Sequence, residues 1–217
     1  MNFKESPVAT ALAASDRRRL IVAITGASGA LYAQRLLETL VAADIHVHLV
    51  VSTLGRRLLN DELDLPELNL DLLAGVPNAR KHITLLPYHD VGAAIASGSY
   101  QTEGMVVIPC SNNKLAELAH GLGENLISRA AQVVLKEHRK LIIVHREMPL
   151  GIIELKNLLA LAEAGAIICP ANPGFYHRPR TADDLVNMVV GRVADLLNVP
   201  HTLHPRWSGK PENDTEI

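Results

Sequence analysis

Short apolar runs and longer amphipathic stretches take turns along this chain. The apolar runs fall at 20–24 (LIVAI), 46–51 (HVHLVV), 104–109 (GMVVIP), 140–144 (KLIIV) and 164–170 (AGAIICP). They are short and rich in Val and Ile, which predicts buried strands. Between and after them, 30–43, 54–63, 112–120, 124–138, 152–164 and 182–197 carry the spacing of amphipathic helices. The last opens on TADD, a variant capping box of Thr181 and Asp184. Strand and helix in repeated alternation predict an α/β fold, a parallel sheet wrapped by helices on both faces. The stretch 64–88 has no clear period and reads as loop with some helix. No internal repeat or low-complexity linker divides the chain. Residues 18–207 therefore form one domain, with an arm at 1–17 and a tail at 208–217 that are mobile or used in assembly.

Composition narrows the choice. A chain of 217 residues, 48% of them hydrophobic, can bury one substantial core. A formal net charge of −2 gives no polyanion-binding signature, which argues against nucleic acid. Two cysteines, Cys110 and Cys169, form no CxxC pair, and ten histidines show no Cys/His zinc spacing. PVATALAAS near the start lacks the length and charge order of a signal peptide, and no apolar run reaches the length of a membrane span. These features predict a protein of the cytoplasm.

The chemistry lies where strands end. TGASGA (25–30) closes the first strand and opens the first helix, where free backbone N–H groups favour an anion. Gly26 allows the tight turn, Ser28 offers a hydroxyl, and Gly29 permits close approach of the helix. The GxGxxG dinucleotide pattern is absent, because its first glycine would fall on Ile24. The second strand ends in Ser52 rather than an acidic residue, so a mononucleotide phosphate fits better than a dinucleotide. A bare turn with no ligand is the alternative. Ser111, Asn112 and Asn113 follow Pro109 at the next strand end; they suit helix capping and equally suit a flavin or phosphate. Arg146 and Glu147 end the strand after that. Alternation along a strand argues against a simple pair between them, although a solvated charge pair is the bland reading. PANPGFYHRP then brings Tyr176 and His177 on a rigid loop. Arg129 and Lys136 are two turns apart on one helix face. Arg192 interrupts an apolar stripe of Leu185, Val189 and Leu196; it either snorkels or, if buried, needs an anion.

Taken together, TGASGALY, VVS, ASGSYQTEGMVVIPCS, ENLISRAAQVVLKEHRKLIIVHREMP, PGFYHRP and PRW resemble the flavin prenyltransferases of the UbiX type, in that family's order from about Leu20 to Trp207. The resemblance implies a Rossmann-like or flavodoxin-like three-layer αβα sandwich. It implies transfer of a dimethylallyl group from dimethylallyl monophosphate to N5 and C6 of reduced FMN, without a metal. The product, prenylated FMN, would pass to a UbiD-type decarboxylase, and the enzyme would be a homo-oligomer, a dodecamer. FMN contacts carried over by motif are Gly26, Ala27, Ser28, Ser52, Ser111, Asn112, Asn113, Lys114 and Arg146. The prenyl phosphate would meet Lys136, Arg146, Tyr176 and Arg192, with Arg129 and Trp207 nearby. Glu147 matches the catalytic acid/base, Ser28 assists, and Glu62 matches an acid reaching the site from a neighbouring subunit. Lys114 departs from the family, whose members usually have Thr there. Two other readings are an FMN-dependent cysteine decarboxylase and a non-catalytic flavin-binding subunit. PCSNN in place of a PxMN-type turn counts against the first, and Glu147 with the basic cluster against the second.

Overall fold

A computed structural model of the chain describes residues 17–176, 178–204 and 206. The terminal arm up to residue 16, His177, Trp207 and the tail 208–217 lie outside the described residues. Six strands form one sheet: β1 (Arg19–Ile24), β2 (His46–Val51), β3 (Ile83–Leu86), β4 (Gly104–Cys110), β5 (Lys140–His145) and β6 (Ile167–Ile168). Their spatial order is β3-β2-β1-β4-β5-β6, with every neighbouring pair parallel. The chain builds outward from β1 in one direction and then from β4 in the other. The crevice between those two strands is the place where open α/β sheets bind ligands.

The helices are α1 (Ala30–Ala42), α2 (Thr53–Leu63), the short α3 (Leu70–Ala74), α4 (Asn112–Ala119), α5 (Leu126–Lys136), α6 (Ile152–Glu163) and α7 (Ala182–Leu196). Side chains of β1 alternate between two cores. Leu20, Val22 and Ile24 join Leu36, Leu37 and Leu40 of α1 and Val189, Val190 and Val193 of α7. Ile21 and Ala23 join Leu115 of α4, Ile127 and Val134 of α5 and Leu161 of α6. A strand buried on both faces therefore has no polar side, and the result is the expected αβα sandwich. The capping box of Thr181 and Asp184 is present at the start of α7.

Two expectations are corrected. The stretch read as loop with some helix contains β3 as well as α3. This strand lies at the sheet edge with Thr84 exposed, so it lacks the all-apolar signature of its neighbours. The expected strand at 164–170 contracts to Ile167–Ile168, because Gly165 at φ 96 still belongs to the turn leaving α6. Pairing continues irregularly beyond it, through Cys169 N to Ile143 O at 2.9 Å and Ala171 N to His145 O at 3.0 Å.

Gly55 shows how tightly the amino end of α2 meets the sheet. A Cβ there would lie 2.5 Å from Ile24 O and 3.1 Å from Val51 Cγ1. Backbone cannot retreat as a flexible side chain can. Gly55→Ala should therefore cost about 1–3 kcal/mol of stability, with a melting temperature lower by about 2–4 °C per kcal/mol. A thermal denaturation midpoint unchanged from wild type would show that α2 shifts freely.

Candidate active site

The carboxyl ends of β1 and β4 are tied to each other. Thr25 donates to Pro109 O from both its N (3.3 Å) and its Oγ1 (2.7 Å). The same Oγ1 accepts from Ser111 N at 2.9 Å. This tie fixes the glycine turn against the exit of β4. Gly29, at φ 124, then starts α1 in a left-handed conformation, where a Cβ would also run into the Tyr32 ring at 2.7 Å.

Two more helices begin at this rim. Ser52 Oγ accepts from Gly55 N at 3.0 Å and caps α2. Ser111 Oγ accepts from Lys114 N at 3.4 Å and caps α4. Between them lies a hollow of about 120 Å³, lined by Gly26, Ser52, Ser111, Asn113, Tyr88 and Lys114 among others. Common ligand pockets start at about 300 Å³, so this one suits a phosphate and part of its tether, with a ring system left to the open mouth. Larger hollows of about 520 and 530 Å³ occur elsewhere, but no glycine turn or pair of capped helix starts lines them.

At the mouth, Arg146 Nε donates to Ser28 O at 3.1 Å. Glu147 Oε2 accepts from Asn112 Nδ2 at 2.8 Å, and its Oε1 from Met148 N at 3.0 Å. β5 ends at His145, one residue short of the expected Arg146–Glu147 strand end, and the two side chains have separate partners. The Asn112 amide nitrogen is donated to Glu147, so its Oδ1 accepts from His145 Nε2, 2.7 Å away. Burial pushes His145 below the ordinary histidine value, against the pull of Glu147 and Glu154. A neutral imidazole with its proton on Nε2 therefore orients the amide that orients Glu147.

Glu62 answers which anion the glycine turn holds within this chain. Its Oε2 accepts from Gly29 N at 3.0 Å and Ala30 N at 2.8 Å. Partial burial alone would raise this carboxyl. Hydrogen bonds from Ser28, Ala30 and Gly29 and the Arg146 charge outweigh it and hold Glu62 below the usual glutamate value. Within the single chain, α2 carries Glu62 back onto the amino end of α1, where free N–H groups and the helix dipole favour a carboxylate.

Other expected residues stand apart. Asn125, which caps α5, bonds Lys114 beside the hollow. Lys136 is the last of the eleven residues of α5, about 16 Å along the axis at 1.5 Å per residue, towards the amino ends of the strands. Arg192 is also far along its helix. The end of α7 is held at the amino end of the sheet by Lys140 Nζ to Leu196 O at 2.7 Å and Arg18 to Leu197 O at 2.8 Å. Arg192 is 55% exposed and pairs with Asp195 at 3.1 Å, so it snorkels rather than occupying the apolar stripe. Asp195 also accepts from Arg206 at 2.9 Å and pairs with His201 at 3.0 Å. Ligand atoms of Asp195, His201 and His204 lie within 4.8 Å of one another, a grouping invisible in sequence spacing. Two guanidiniums on that carboxylate oppose a cation and make it an ion-pair hub. Tyr176 is exposed, Arg129 is half-buried in the first turn of α5, and Ala27 is buried in the glycine turn. Lys114 has its ammonium buried, with side-chain partners of its own.

Sequence reasoning missed Thr25, Tyr88 and His145. Thr25 and His145 directly precede quoted motif residues, a signal that was available. Tyr88 closes the stretch without a period, where none was.

Comparison with known proteins identifies the family. The Flavoprotein family model matches residues 9–194. A flavin prenyltransferase UbiX of Alkalihalophilus pseudofirmus is 46% identical over 193 residues, covering 87% of this chain and 95% of that protein. The Escherichia coli K12 flavin prenyltransferase UbiX is 43% identical over 195 residues, covering 88% and 99%. Among solved structures, AnUbiX (PadA1) in complex with FMN and dimethylallyl pyrophosphate superposes with a TM-score of 0.81 at 37% identity, over 90% of this chain and 100% of that one. A dodecameric FMN-dependent UbiX-like decarboxylase from Escherichia coli O157:H7 gives 0.78 at 42%, over 88% and 100%. A PPC decarboxylase mutant, at 16% identity and a TM-score of 0.58, shares the fold alone. The chain belongs to the flavoprotein family and, within it, to the UbiX flavin prenyltransferases.

Proposed function

We propose that this chain transfers a dimethylallyl group from dimethylallyl monophosphate to N5 and C6 of reduced FMN, making prenylated FMN for a UbiD-type decarboxylase. The observation that carries the reading is the group Ser28, Arg146, Glu147 and Asn112 at the mouth of a hollow where two helices begin. The donor set fits FMN. Ser52, Ser111 and the amino ends of α2 and α4 suit its phosphate, and Gly26, Ala27 and Asn113 leave backbone close to its tether. Reduced flavin supplies the two nucleophilic atoms, while cleavage of the allylic C–O bond releases inorganic phosphate.

The chain's own residues do the rest. Arg146, fixed by Ser28 O, neutralises negative charge growing on the leaving phosphate. Glu147 accepts and returns protons, its carboxylate aimed by Asn112 at 2.8 Å. A monophosphate met by arginine and lysine needs no divalent metal. Lys136 and Arg192 lie too far from their own mouth to take part there, so they serve the mouth of a second subunit in a homo-oligomer, with Tyr176 and Arg129. A dodecamer is the assembly in which we place them. Trp207 belongs to the same reading. Among the described residues no helix is long and apolar enough to cross a membrane, and we place the reaction in the cytoplasm. A purely flavin-binding subunit would have no use for the oriented Glu147.

Anaerobic incubation with reduced FMN and dimethylallyl monophosphate should give extracted flavin heavier by a C5H8 unit in the mass spectrum. Unmodified FMN from folded, flavin-bound protein would contradict the transferase reading.

Sharing of the site has its own check. Glu147→Gln and Arg192→Leu should each lower turnover by about two orders of magnitude. Mixed in one oligomer, they should recover up to about a quarter of wild-type activity, because some sites pair an intact Glu147 with a neighbour's intact Arg192. Mixing Glu62→Gln with Glu147→Gln should recover none, since both residues belong to one chain's mouth. The opposite pattern in verified mixed oligomers would reverse the assignment.

A further inference from the structure

The charged pair Lys114–Glu117 borders the hollow, and the expected FMN contact at Lys114 leaves its ammonium without an assigned task. Lys114, in the first turn of α4, is 3% exposed. Its ammonium contacts Asn125 Oδ1 at 3.0 Å, Ser128 Oγ at 3.1 Å, Tyr88 Oη at 3.3 Å and the carboxylate of Glu117. Glu117 also accepts from Ser128 Oγ at 2.8 Å and Asn125 Nδ2 at 3.0 Å. Tyr88, Lys114 and Glu117 line the same hollow as Ser52 and Ser111.

Desolvation makes such a pair a poor source of stability, since apolar replacements often do as well. It must therefore be weighed by what it does to the hollow. The ammonium has three N–H groups and four acceptors around it, and the Tyr88 hydroxyl is the most distant of the three neutral ones. That partner can be exchanged for an arriving oxyanion while Glu117 keeps Lys114, Asn125 and Ser128. Glu117 also needs the lysine, because an uncompensated carboxylate at this spot would repel a phosphate.

We propose that Lys114, held and neutralised by Glu117, makes the hollow selective for phosphorylated flavin, its ammonium exchanging the Tyr88 hydroxyl for a phosphate oxygen of FMN. The inference rests on the flavin reading and assigns phosphate selectivity to the buried Lys114.

Titration of oxidised FMN and riboflavin, followed by flavin fluorescence, tests it without turnover. Wild type should bind FMN at least about tenfold more tightly than riboflavin. Lys114→Met should weaken FMN by about 10- to 100-fold, the size of one charge-assisted hydrogen bond, and leave riboflavin within about threefold. Because Lys114→Met strands Glu117, the double variant Lys114→Met/Glu117→Gln removes both charges at similar volume. It should keep a wild-type circular dichroism spectrum and lose the preference as well. Equal loss for both flavins would reduce the pair to a structural role, and a folded double variant with the wild-type preference would overturn the proposal. A wild type that binds neither flavin would defeat the flavin reading itself, and this proposal with it.

Discussion

Among the helices that start at this rim of the sheet, α1, α2 and α4 flank the glycine turn, and each leaves N–H groups that its own turns cannot satisfy. What supplies the acceptors decides the rest of the structure. Ser52 and Ser111 cap α2 and α4 with hydroxyls. Glu62 spends a full carboxylate on α1. The Thr25 tie to Pro109 and Ser111 holds these starts at fixed separation. Positive potential from the two hydroxyl-capped helices converges on the small hollow, and Glu62 cancels that of the third. The rim is thereby divided between two helix starts capped by neutral hydroxyls and one capped by a carboxylate.

That division gives the mouth its chemistry. Arg146 is the mouth's own cation, and it leans on the turn through Ser28 O. Glu147 is kept from it by the His145–Asn112 link, so neither charge is used up on the other. Towards the opposite end of the sheet, Asp195 gathers Arg192, Arg206 and His201.

Much of this was legible in the residues. Unbroken Val and Ile runs reveal buried parallel strands, because burial on both faces removes any polar alternation. β3 escaped for the same reason, since an edge strand with an exposed Thr84 lacks that signature. TGASGA, Ser52 and Ser111 could be placed at strand ends, where a ligand must bind. The destination of Glu62 could not be read, because it depends on the angle at which α2 returns to the turn. Likewise Arg192 breaks an apolar stripe in sequence, but its guanidinium leaves the stripe to pair with Asp195. Lys114 follows Ser111 by three residues, yet its burial is set by Tyr88 and Asn125, distant in sequence and close only after folding.

The most direct measurement is a crystal structure of the FMN-saturated chain in its solution oligomer. The phosphate should lie between Ser52 and Ser111 at the amino ends of α2 and α4. The flavin ring should lie at the mouth beside Ser28 and Arg146, and an adjacent subunit should present its lysine 136 and arginine 192 there. Flavin bound at the amino ends of the strands, or a mouth that no second subunit approaches, would contradict this account.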